Sequence, residues 1–367
     1  MHQKMYLNIW FDILTPKQLH FFEPMIRRLE ADHNVMYTSR QYGEVAPLVR
    51  IRDIKPEIIG RHGGGTLESK LKAGISRMDK LLNRVLDFSP DVLISCTSPE
   101  AGRIAFGLGI KHIAFSDCPH QAAVMKLTLP FAWKLLTPWL IPAKEFTTYG
   151  IKRNDVIHYK AIDAAFTIKR KEMGGNMPLP FVKKDAPNIL IRPVEDFASY
   201  VSKSGLAIPF IQRVVFEFGT DYNVVVLARY PDQARSIRNM IRTSIPAPKR
   251  RSTRVILMKY DGKHLLNNTD LFVGSGGTMT MESALYGVPT LSYGVFPSTL
   301  ETFLARKHLL KVEPDPDNIV KQAHQMLKSN RDQIRKRADA AVSEMEDPAD
   351  VLINLLATMP KNQGASS

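Results

Sequence analysis

Cysteine is nearly absent, with Cys96 and Cys118 the two present in 367 residues. Two thiols cannot build a disulfide framework, and alone they cannot complete a zinc site; their apolar, strand-like surroundings suit a reduced, cytoplasmic chain. Long hydrophobic runs are missing as well. The opening MHQKMYLNIWF meets Asp12 before it reaches the length of a signal core or an anchor. There is no low-complexity tract and no repeat of solenoid period. Acids are in deficit: 36 Asp and Glu stand against 50 Lys and Arg, a net charge of +14 with a pI near 9.6. A polyanionic partner therefore has to be considered. A hydrophobic content of 44% with 23% charged residues excludes disorder of the whole chain, and the length suits two domains.

What is present is a series of short apolar runs with amphipathic segments between them. MYLNIWF (5–11), HNVMYTS (33–39), DVLISC (91–96), KHIAFSD (111–117), APNILIR (186–192), YNVVVLA (222–228), TRVILMK (253–259), DLFVG (270–274) and VPTLSYG (288–294) are continuous rather than alternating. Strands buried on both faces of a parallel sheet read this way. The pattern predicts an α/β chain of two doubly wound domains, 1–175 and 176–345. The Gly-, Pro- and Lys-rich stretch at 170–185 is the linker, a helix over 346–360 packs back on the first domain, and 361–367 is a frayed tail. The segment 122–143 carries only Lys126 and Lys134 as charges. Its prolines 130, 138 and 142 argue against a spanning helix, and a buried helix–strand pair in the core is the preferred reading over a membrane interface.

The stretch DLFVGSGGTMTMESALYGVPTLSYG (270–294) carries the clearest chemical signal. A strand ends at Gly274, a Ser-Gly-Gly-Thr loop follows, and a helix runs from about Thr278. Such a loop leaves amides open at a helix N-terminus, with no side chain at Gly276 or Gly277 to keep an anion away. Glu282 lies two turns in, too far for a cap, where it can either accept from vicinal hydroxyls or face solvent. Arg192, closing NILIR, is placed to neutralise a diphosphate. No DxD-type metal motif stands in a suitable position, and Asp315 and Asp317 read as a solvent turn.

The spacing S-G-G-T-x-x-x-E-S-A-x-x-G-V-P resembles the nucleotide-sugar signature of GT-B enzymes. It is similar both to the N-acetylglucosaminyltransferase that makes lipid II and to the non-hydrolysing UDP-N-acetylglucosamine 2-epimerases. More narrowly, IWFDILTPKQLHFF, HGGGTL, SPEAGRIAFGLG and SDCPH with the C-terminal loop resemble a prokaryotic family labelled domain of unknown function 354, grouped with GT-B folds. The resemblance implies a GT-B-like fold with parallel sheets facing a central cleft. It also implies diphosphate contacts from Ser275, Gly276, Gly277 and Thr278, ribose contact from Glu282, and a donor-site role for Glu301. A nucleotide sugar would be the substrate, with no metal or other cofactor required.

That geometry directs attention to the first-domain loops 12–17, 61–66, 96–100 and 116–120. Asp117 and His120 form the best acid–base pair, with Glu100 as a further acid; each also reads as a cap or turn residue. The leading expectation is a glycosyltransferase acting on a glycan or lipid-phosphate acceptor, in the cytoplasm or peripherally at anionic membrane. The alternatives are an epimerase or nucleotide-sugar hydrolase on the same fold, and a nucleic-acid-binding protein. The last would use residues 228–263, where ten basic residues face two acids, though no nucleic-acid motif supports it and no such partner is favoured.

Overall fold

The computed structural model describes residues 6–41, 54–169, 179–182, 185–194, 207–257, 260–294 and 298–360. Most of the expected linker and the tail 361–367 lie outside these. The chain divides into two compact units, one of residues 1–166 with 346–367 and one of residues 167–345.

In the first unit β1 (Asn8–Ile13), β2 (Asn34–Gln41), β3 (Glu57–Arg61), β4 (Val92–Ser95), β5 (Lys111–Phe115), β6 (Lys134–Pro138) and β7 (Val156–Tyr159) form one sheet in the order 3-2-1-4-5-6-7, parallel throughout. The helices are α1 (Pro16–Leu29), α2 (Leu67–Phe88), α3 (Pro99–Gly107), α4 (Ala122–Thr128), α5 (Lys144–Thr147) and the first half of α6 (Asp163–Lys169), which runs on into the second unit from Thr167. The central strands β1, β4 and β5 are buried on both faces because helices cover both. Trp10, Met36 and Leu93 meet Leu81 and Val85 of α2 and Ala101, Ile104 and Ala105 of α3. Edge-on aromatic contacts join Phe11, Phe21, Phe22, Phe115 and Phe166 elsewhere in the unit. The apolar 122–143 segment is accounted for here: it folds into α4 and then β6, whose Leu135 and Leu136 are fully buried.

The second unit contains β8 (Asn188–Arg192), α7 (Ile208–Phe218), β9 (Asn223–Ala228), α8 (Pro231–Ser244), β10 (Thr253–Leu257), α9 (Gly262–Asn267), β11 (Leu271–Gly274), α10 (Thr278–Leu285), β12 (Thr290–Ser292), α11 (Thr299–Arg306), β13 (Lys311–Val312), α12 (Ile319–Leu327) and α13 (Arg331–Ser343). Its sheet is also parallel, in the order 10-9-8-11-12-13. Strand alternation sorts the core: Ile189, Ile191, Val224, Val226, Leu271 and Val273 pack in one cluster, and Leu190, Val225, Leu227 and Phe272 in the other. The last helix, α14 (Pro348–Ala357), belongs to the first unit. There Arg28 of α1 pairs with Asp347 at 3.1 Å and Asp350 at 2.6 Å.

In both sheets the chain reverses direction of travel, between β1 and β4 in the first and between β8 and β11 in the second. Loops leaving the C-terminal ends of strands at such a point diverge and leave room for a ligand.

Candidate functional site

In the second unit the switch point is occupied by the glycine loop. β11 stops at Gly274, beside Arg192 of β8, and Ser275, Gly276 and Gly277 lead into α10. Gly277 caps the helix with φ −79° and no side-chain hydrogen bond, so the first-turn amides at the positive end of the helix are offered outward. Gly277 is exposed, while Ser275 and Thr278 beside it are half-buried. Gly276 has φ +87°, and a Cβ there would lie 2.9 Å from Oε1 of Glu301. Conformation and space both demand glycine. Its N–H donates to Thr280 Oγ1 at 3.3 Å, which fixes the loop on the helix.

Two acids sit behind this loop. Glu282 is buried, 8% exposed, and its Oε1 accepts from Thr167 Oγ1 at 2.7 Å, so the solvent-facing reading does not hold. Glu301 is 4% exposed, in the first turn of α11 where Ser298 is the N-cap. Its Oε1 has no hydrogen-bond partner among the described residues. Burial pushes its carboxyl above the ordinary range, with the Ser292 hydroxyl opposing. Arg192 is 8% exposed, and its Nη1 donates to the Leu227 carbonyl at 3.0 Å, which ties the ends of β8 and β9 together.

The first unit gathers a second polar cluster, around a residue to which sequence reasoning gave no role. Lys17, in the first turn of α1, pairs with Asp117 beyond β5 and, at 3.0 Å, with Asp163 opening α6. Cys118 Sγ donates to Asp117 Oδ1 at 2.9 Å, and the Tyr159 hydroxyl donates to Asp163 Oδ1. Burial works against the Lys17 charge, but the two carboxylates outweigh it and hold the ammonium well above its usual pKa. Burial also opposes ionisation of Asp117, and Lys17 overcomes this and lowers its pKa. At Asp163 burial wins, aided by the Asp117 charge, and the pKa is raised. Two carboxyls share one lysine, so the three groups titrate as a unit. Burial raises the thiols of Cys96 and Cys118 well above their usual range, so neither is a ready thiolate. His120 is exposed, and desolvation lowers its pKa against the pull of Asp117. Close contacts to Asp117 come from Lys17 and Cys118, and its charge also acts on His120, the partner expected for it.

Glu100 belongs to a different set. It opens α3, and its carboxylate lies 4.0 Å from Arg77. Arg77 is itself buried against Asp12 at 2.5 Å, and Asp12 also accepts from Thr38 at 2.7 Å and Ser98 at 2.6 Å. This network locks β1, β2, α2 and α3 at the switch point and leaves Glu100 a helix-terminal, ion-paired acid. In the HGGGT motif the Gly64 N–H donates to His62 Nδ1, and Thr66 caps α2. Much of the basic segment is spent locally, with Arg229, Arg238 and Arg251 donating to the carbonyls of Pro193, Val255 and Thr220.

Comparison with known proteins follows this geometry. Residues 7–361 match the family described as "Protein of unknown function (DUF354)". The chain belongs to that family. An uncharacterised protein of Methanocaldococcus jannaschii is 30% identical to this family member over 357 residues, covering 94% of this chain and 96% of the relative. Among solved structures, a UDP-GlcNAc 2-epimerase from Neisseria meningitidis bound to UDP-GlcNAc aligns with TM-score 0.71 at 14% identity, over 96% of this chain and 100% of the other. A putative UDP-N-acetylglucosamine 2-epimerase from Listeria monocytogenes gives 0.74 at 15% identity, over 98% and 100%. The spinosyn forosaminyltransferase gives 0.62 at 15%, over 96% and 100%. The fold of this family member is therefore that shared by the epimerases and GT-B glycosyltransferases. Among the described residues no helix is long and apolar enough to cross a membrane, and no group of three or more His, Cys, Asp or Glu is placed to hold a metal ion.

Proposed function

We propose that the protein is an enzyme of nucleotide-sugar metabolism, a metal-independent glycosyltransferase passing a sugar from a nucleotide diphosphate to a hydroxyl of a glycan or lipid-linked acceptor. The observation that carries this reading is the uncapped first turn of α10 behind Gly276 and Gly277, at the switch point of its sheet. Amides of this kind bind a diphosphate without side-chain charge, and the hydroxyls of Ser275 and Thr278 flank them. In this reading Glu282 is the ribose acceptor, and Arg192 organises the strand ends around the site. The first unit supplies proton transfer. Asp117 is kept ionised by Lys17, and His120, exposed and neutral near pH 7, is available to take a proton from an acceptor hydroxyl.

The gathering of Asp117 and Asp163 on Lys17 favours a second reading, since two carboxyls in one cluster also suit epimerisation or hydrolysis of the sugar nucleotide. Turnover of a nucleotide sugar with no acceptor present separates the two.

Gly277 gives a clean test of the donor site. Its φ is negative, and a Cβ there meets nothing closer than Ser275 Oγ at 4.0 Å, so a side chain enters open space beside the amides. In a thermal-shift panel of nucleotide diphosphates and their sugar conjugates, the wild type shows a base-selective rise of a few degrees, as roughly 2.7 kcal/mol at 100 times Kd implies. Gly277→Leu keeps the ligand-free melting temperature and loses the rise. No rise with any nucleotide on the wild type removes the donor-site assignment.

A further inference from the structure

The carboxyl of Glu301 raises an electrostatic problem for the anion site. It is nine-tenths buried, one oxygen is without a partner among the described residues, and both oxygens press on the face of Gly276 where a Cβ would stand, at 2.9 and 3.2 Å. An anion received by the neighbouring amides of Gly277 and Thr278 would lie only a residue or two along the backbone from it. With the carboxyl buried, two like charges at that spacing are screened less than they are in water. The surrounding charged groups do not relieve this. Glu282 of α10 is bonded to Thr167, and Arg192 at the end of β8 to the Leu227 carbonyl. Glu313, beyond β13, accepts from the Asp315 amide, and Arg306 and Lys307 stand at the far end of α11. Among the described residues none gives Glu301 an ion pair.

We propose that Glu301 enters the diphosphate complex as a neutral carboxylic acid, so that binding of the donor takes up one proton from solvent at this residue. The proposal rests on the donor-site reading above and adds its regulation by pH. Without the anion Glu301 faces no like charge and is free to ionise. When the anion settles, the carboxylate collects a proton, becomes a hydrogen-bond donor, and its unpartnered oxygen no longer confronts a like charge. No covalent bond changes, and the proton comes from the buffer. The raised carboxyl pKa caused by burial lowers the cost of that protonation.

The test uses UDP-N-acetylglucosamine, whose diphosphate is esterified at both ends and does not itself titrate between about pH 6 and about 8.5. If the thermal panel selects another base, its sugar conjugate is substituted. Calorimetric titration in two buffers of different ionisation enthalpy counts protons. The wild type should take up about one per ligand bound, with Kd rising by up to about tenfold per pH unit between the free and bound titration ranges. E301Q, neutral and nearly isosteric, should bind with no uptake and a flat pH profile. Wild-type binding without proton uptake, or uptake that persists in E301Q, overturns the proposal while leaving the donor site standing. Should E301Q fail to fold, the wild-type proton count decides alone, with Gly277→Leu as the control that must lose binding and uptake together. Absence of any binding by the wild type overturns the donor site and this proposal at once.

Discussion

At the scale of single residues, burial decides which charges are available. His112 shows this most plainly. It is fully enclosed in β5, its Nε2 lies 2.9 Å from Ser95 Oγ, its Nδ1 has no partner among the described residues, and burial lowers its pKa to about 4. The folded state thus refuses a proton that the unfolded chain accepts below about pH 6.5. Its contribution to stability is present in full above that pH and is lost as pH falls through the folded value, by about 1.4 kcal/mol per unit and ~3 kcal/mol in all. Urea unfolding at steps from pH 7 to pH 4 should show this slope. In His112→Asn, less stable at neutral pH, the slope should be shallower by that amount; an unchanged slope would assign the acid sensitivity to other groups. The same accounting of burial explains why Lys17 escaped a sequence reading. A lysine following Pro16 in the first turn of a helix looks like a solvated residue, and its partners lie 100 and 146 positions away. The Ser275–Thr278 loop, by contrast, was legible because its constraint is local: adjacent glycines between a strand and a helix are written in consecutive letters.

At the scale of elements, α2 separates its apolar residues by coverage. Leu81 and Val85 are fully buried under the sheet, whereas Leu71, Ile75 and Leu86 on the same helix are more than half exposed. Leu81→Ala should therefore cost about 2–5 kcal/mol, and Leu71→Ala less than about 0.5 kcal/mol, as read from denaturant midpoints. Equal costs would mean that another surface covers Leu71 in solution. The strands expected from continuous apolar runs were legible for a related reason, since a strand buried on both faces has no polar alternation to blur it. Three others were not. EIIGR of β3 and the two residues of β13 are edge strands with charged, exposed positions, and VIHY of β7 is an edge strand of four residues. Each depends on a neighbouring strand to define it, and that neighbour is not in the local sequence.

At the scale of the whole molecule, the first unit is discontinuous. The chain leaves it at residue 166, forms the second unit, and returns at residue 346. The returning segment is structural: Ala349, Leu352 and Leu356 are buried, Glu346 N–H donates to the Lys160 carbonyl, and Lys111 Nζ donates to the Pro360 carbonyl. A chain ending at Met345 should show a marked loss of stability in the first unit with the second little changed, as followed by hydrogen exchange resolved along the sequence. Uniform loss of protection across both units would contradict that assignment.

The discontinuity also orders events during synthesis. By the time residue 345 has left the ribosome the second unit has all of its strands and helices, while the first, although begun earlier, still waits for its closing helix. The usual rule that the N-terminal domain is finished first is inverted. Until the last segment emerges, the ends of β5 and α1 that it covers stay open to chaperones and proteases, so mutations in α14 should be felt in the yield of folded protein before they are felt in its chemistry.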